Sequence, residues 1–140
     1  MKIENSISTL NFSNIEQLKK IQIIQKLKQI ENRVIAHELA HKAVAGRYAG
    51  VVSYTYTRGP DGRFYVTGGE VSLDTSEESK PEDTIKKMEI IIAAALAPSD
   101  PSNQDVKVAQ IAAIKKMKAE IELSKNEKNQ NSQNLIDIFA

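Results

Sequence analysis

Apolar residues recur at helical spacing along the first third of the chain, at Ile15, Leu18, Ile21, Ile24, Leu27 and Ile30. From Leu27 the stripe runs Ile30, Val34, His37, His41, Val44 and Tyr48, in alternating steps of three and four. That rhythm predicts one buried face of an amphipathic helix. Ser13 followed by Glu16 reads as a capping box, placing the helix start near Ser13. Residues 1–12 are polar and irregular, a flexible arm in this reading. With no Gly or Pro before Gly46, the pattern predicts one long helix, with room for a break near residues 29–32.

After Gly46 the rhythm changes. Residues 51–57 are rich in β-branched and aromatic side chains and predict a strand. Gly59-Pro60-Asp61-Gly62 is a turn signal, and residues 63–67 return as the second strand of a hairpin. Gly68-Gly69 permits a bend or a close backbone approach, and residues 70–74 alternate as a third short strand. Pro81 opens a second helix through Ile85, Met88 and Ile92, ending before Pro98. Ser102 is the expected N-cap of a third, running through Val106, Ile111, Ile114 and Met117 to about Leu123. The Asn/Gln/Lys-rich residues 124–134 read as a low-complexity linker, followed by an apolar tail at Leu135, Ile136, Ile138 and Phe139. The expected class is α+β: a long helix, a β-hairpin or small antiparallel sheet, then two further helices. One domain spans residues 13–123 around a core at 33–113, with residues 124–140 outside it.

At 140 residues one modest core is affordable. A net charge of +1 argues against a nucleic-acid surface working by bulk electrostatics. The absence of cysteine removes disulfides and thiolate metal sites. No apolar run reaches membrane-spanning length, and no secretory h-region follows Met1. The expectation is a cytoplasmic chain, although unconventional export would leave the same sequence.

The chemistry concentrates in His37-Glu38-Leu39-Ala40-His41, an HExxH motif holding both histidines of the chain. Two imidazoles four residues apart on a helix stand one turn apart on one face and can grip one zinc ion, with Glu38 acting on a metal-bound water. The competing reading is a pair of buried core histidines. With no third His and no Cys, a third side-chain ligand must be a carboxylate. Glu70 comes first on spacing, because Gly68-Gly69 lets its backbone approach the helix. Glu89, Asp74 and Asp105 compete with it. Tyr54, Tyr56 and Tyr65 are hydrogen-bond donor candidates on the hairpin.

Residues 33–113 resemble the SprA-related family of bacterial proteins, described as zinc metallopeptidases. The resemblance rests on Arg33-Val34 through His41, Ser53-Tyr54, Gly59-Pro60-Asp61-Gly62 and Gly68-Gly69-Glu70-Val71. It continues in residues 84–88, in 94–98, and in Pro101-Ser102 with Gln104-Asp105. Arg47 departs from it, standing where a second Gly is expected after Gly46. The resemblance implies a minimal zincin-like metallopeptidase with His37, Glu38 and His41 in its site, and it draws attention to Glu70 as the third ligand.

The expected activity is therefore zinc-dependent peptide hydrolysis, with His37, His41 and Glu70 on the metal and Glu38 as general base. Its partner would be a peptide or protein substrate. The alternative is a non-enzymatic interaction module with a structural or vestigial metal, docking through the N-terminal helix or the C-terminal tail.

Overall fold

The computed structural model describes the backbone of residues 2–139 and the side chains of residues 11–139. It is α+β, with the expected order of elements. Helix α1 is Lys2–Ala45, and a short 3-10 turn, Gly46–Tyr48, follows. Strands β1 (Ala49–Arg58) and β2 (Phe64–Leu73) form a two-stranded antiparallel sheet. Helices α2 (Pro81–Ala95) and α3 (Asn103–Phe139) complete the chain. Two compact units are distinguished: residues up to Glu38 with Val52–Glu70, and Leu39–Val51 with the chain from Val71 onward.

In the first unit, the Glu31 carboxylate of α1 accepts a hydrogen bond from the Val66 backbone N–H at 2.7 Å. That bond occupies a donor of β2, and Tyr65 and Val66 are buried beside it. The Tyr65 hydroxyl donates to Asp61 Oδ2 at 2.5 Å, bracing the Gly59–Gly62 turn. Within the turn, Gly62 N–H donates to Gly59 O at 3.0 Å.

In the second unit, Met88, Ile91 and Ala112 form the core, with Tyr48, Leu73, Ile92 and Val108 packed on it. Helices α2 and α3 pack together with Met88, Ile91 and Ala112 in their shared core, and Ala94, Ala95, Ala109 and Ala119 are buried as well. Small side chains let two helix backbones approach closely, at the near end of the usual 8–10 Å range. Asp74 N–H donates to Tyr48 O at 2.9 Å, holding the end of β2 to the turn after α1.

Several sequence expectations shift. Helix α1 begins at Lys2, so Ser13 lies inside it. The helix also runs unbroken through residues 29–32, since neither Gly nor Pro interrupts it. It ends at Gly46, whose φ of +55° suits a residue without a Cβ. The expected third strand is instead the end of β2, which passes through Gly68-Gly69 without breaking. Residues 124–134 are helical and exposed, continuing α3. The buried stripe of α1 also slips. Val44 is exposed, whereas Glu38 and Ala45 are buried together with His41, which the stripe did include. A three-four rhythm averages 3.5 residues, whereas the helix turns every 3.6, a slip of about 20° per heptad.

Candidate metal centre

His41 is 3% exposed and its ring is fixed from both sides. Nδ1 lies 2.8 Å from Ala94 O, in the last turn of α2. A carbonyl can only accept, so Nδ1 carries the proton and Nε2 is the nitrogen left to face the site. Nε2 stands 3.2 Å from Asp105 Oδ2. A bare lone pair at that distance from a carboxylate oxygen is repulsive, so a proton or a cation belongs between them.

Asp105 is positioned by the start of α3. Ser102 Oγ accepts from Asp105 N–H at 3.1 Å, and Asp105 Oδ2 accepts from Ser102 N–H at 2.9 Å. This is a reciprocal capping box with Asp in the third helical position. The oxygen that caps the helix is the same one that faces His41.

His37 lies one helical turn before His41 on the same continuous helix. Among the described residues, His37, His41 and Asp105 each offer one ligand atom, all within 4.8 Å of one another. For bonds of about 2.0–2.1 Å, the ligand atoms of a tetrahedral zinc stand roughly 3.3–3.4 Å apart. The His41–Asp105 separation is already near that value, and two imidazoles with one carboxylate are a donor set zinc accepts. The residues present fit such an ion. Glu38, the residue after His37, is 4% exposed.

The other carboxylates weighed from the sequence lie elsewhere. Glu70 is exposed on β2 and outside the group of three. The preceding residue, Gly69, faces Glu38. Successive strand residues point to opposite faces, so Glu70 turns away. Glu89 is more than half exposed and paired with Lys116 Nζ at 3.4 Å. Asp74 is taken up by Lys87, whose ammonium donates to Asp74 at 2.9 Å, Ser76 at 3.0 Å and Glu78 at 3.0 Å. The Ser76 hydroxyl first, and the Lys87 ammonium after it, hold the Asp74 carboxyl far below the usual carboxylate range. Burial pushes the Lys87 ammonium down, but its bonds to Asp74 and Glu78 outweigh this and leave its pKa raised. Of the hairpin tyrosines, Tyr65 is committed to Asp61 and Tyr56 is 58% exposed. The Tyr54 ring borders Gly69, the residue that also faces Glu38.

Sequence reasoning had Asp105 among the candidates but ranked it behind Glu70. The signal that would have raised it is Ser102-Asn103-Gln104-Asp105, a cap followed three residues later by a carboxylate. The proximity of α3's start to His41 is a tertiary fact that no local spacing carries.

Fold and site together define an α+β protein in which a long helix presents two histidines to one carboxylate. The model of the SprA-related family matches residues 4–138, and the chain belongs to that family. Among curated proteins and solved structures, nothing matches the chain. No helix among the described residues is long and apolar enough to cross a membrane.

Proposed function

We propose that the protein is a zinc-dependent metallopeptidase in which His37, His41 and Asp105 hold the metal and Glu38 is the general base. The observation that carries this reading is the convergence of both histidines and Asp105 within 4.8 Å, next to a buried Glu38. A zinc ion held there would supply Lewis acidity, polarising a substrate carbonyl and easing the ionisation of water toward neutral pH. Glu38 takes the proton from the attacking water and returns it to the leaving amine. Asp105 and His41 each have a partner that orients them, the Ser102 cap for one and Ala94 O for the other. Such orientation is what outer-shell partners contribute to metal affinity.

Metal analysis of the purified protein tests the ligand set, and turnover of fluorescein-labelled casein tests the chemistry. About one zinc per chain is expected. It should be lost in His41→Ala and Asp105→Asn and retained in Glu70→Gln. Glu38→Gln should keep the metal and lose hydrolysis. Zinc lost from Glu70→Gln and kept by Asp105→Asn would return the third ligand to Glu70.

A second reading, a non-enzymatic interaction module, is favoured by a separate observation. Phe12, Ile15 and Leu18 on α1, and Leu135, Ile136, Ile138 and Phe139 on α3, are all at least half exposed. Unfolding by chelator without any hydrolysis of casein by the zinc-loaded protein would favour it.

A further inference from the structure

Gly68 and Gly69 sit side by side in β2, yet the structure places different demands on them. Neither has positive φ, so backbone conformation requires glycine at neither position. Space separates the two. A β carbon at Gly68 would lie 3.4 Å from Thr55 Cβ and 3.6 Å from its Oγ1, which is close to ordinary contact. At Gly69 it would lie 3.1 Å from Glu38 Cγ, 3.0 Å from Tyr54 Cδ1 and 3.3 Å from Ser53 O. Carbon atoms pack best at about 3.5–4.0 Å, so a methyl group at Gly69 must displace something. The Ser53 carbonyl is strand backbone and resists movement. The groups left to move are the Tyr54 ring and the Glu38 side chain, and Glu38 is already buried.

We propose that Gly69 is a positioning residue for Glu38: its missing side chain lets β2 lie against the Glu38 Cγ methylene, in a space that the Tyr54 ring also borders, and so fixes where the carboxylate stands. The proposal rests on the reading of Glu38 as the proton carrier. It assigns the strand a role that needs no ligand from it. None of the three proposed ligands, His37, His41 and Asp105, is among the nearest atoms to a β carbon at Gly69. A side chain there should therefore disturb the base while leaving the metal bound.

The test compares Gly69→Ala, Gly68→Ala, Glu38→Gln and the double variant Gly69→Ala/Glu38→Gln. Zinc affinity, the visible absorption band of the Co2+-substituted protein at one fixed pH, and casein turnover are measured in each. Gly69→Ala should bind zinc with near wild-type affinity and lose roughly 10- to 100-fold in turnover, the scale of a misplacement of about 1 Å. Its Co2+ band should move in the same direction as that of Glu38→Gln, because the group beside the metal's open position has changed. Gly68→Ala should match wild type throughout. The double variant should be no slower than Glu38→Gln alone, as expected when one residue acts through the other. Wild-type turnover and an unmoved band in Gly69→Ala, with Glu38→Gln impaired, would overturn the role of Gly69 and leave the peptidase reading standing. Full turnover in Glu38→Gln would overturn both. Should Gly69→Ala not fold, Tyr54→Ala removes the other side of the same wedge: a band shift with zinc retained supports the proposal, and an unmoved band refutes it.

Discussion

At the scale of single residues, one oxygen has two duties. Asp105 Oδ2 caps α3 by accepting from Ser102 N–H and also faces His41 Nε2. The Ser102 hydroxyl returns the bond to Asp105 N–H and so holds the aspartate backbone in the first turn. Ser102→Ala should cost about 1 kcal/mol of stability, as loss of an N-cap usually does. It should also weaken zinc binding by about 10-fold, the lower end of outer-shell effects, by isothermal titration. A variant with lowered stability but unchanged zinc affinity would show that the cap does not aim the carboxylate. The HExxH pair was legible because helical geometry alone sets two side chains four residues apart. The closeness of Asp105 to His41 and the turn of Glu70 to the other face of β2 were not, because they follow from the start of α3 and from strand alternation, and neither is a property of spacing within the motif.

At the scale of elements, α3 buries its small side chains and leaves its large apolar ones exposed. Val106, Ile111, Ile114 and Met117, the apolar residues along which the sequence places this helix, are all exposed, at 39%, 45%, 66% and 62%. The face that packs on α2 carries Ala109, Ala112 and Ala119 instead. The helix existed in the sequence; its packed side is marked by Ala112, which shares a core with Met88 and Ile91 of α2. On these two helices the large apolar side chains that are buried are Met88 and Ile91, both on α2. Ala112 is fully buried, and Ala112→Leu should overpack the contact and cost about 1–3 kcal/mol by urea denaturation. Ile114→Lys, on the exposed face, should stay within about 0.5 kcal/mol of wild type. A reversal of that order would mean the alanine face is not the packed one. The lengths of α1 and α3 were under-read for a related reason. Polar composition at residues 1–12 and 124–134 argued for loose chain, but without Gly or Pro nothing stops a helix.

At the scale of the whole molecule, stability should depend on pH through the Lys87 network, whose two kinds of group titrate at opposite ends. The Asp74 carboxyl is held low, so its contribution is present above the unfolded-state value of about 3.9 and is lost as pH falls below it toward the folded value. The Lys87 ammonium is held high, so its contribution is present below the unfolded-state value of about 10.4 and is lost as pH rises through the folded value. Between those limits the network contributes steadily. Lys87 is 1% exposed, whereas the Asp74 and Glu78 side chains are 51% and 42% exposed. Both carboxylates can therefore rehydrate once the ammonium is removed, and the cost falls well short of that for a fully buried pair. Lys87→Met should lower unfolding free energy by about 1–2 kcal/mol at pH 7. The gap from wild type should hold nearly constant from about pH 5 to 9 and shrink on either side. Urea denaturation across that range measures it directly. A gap that widened in acid would reverse the sign of the linkage and remove Asp74 as its source. Because His37, His41 and Asp105 take no part in these hydrogen bonds, zinc binding at pH 7 should survive the substitution, separating the residue that holds the loop from those proposed to hold the metal.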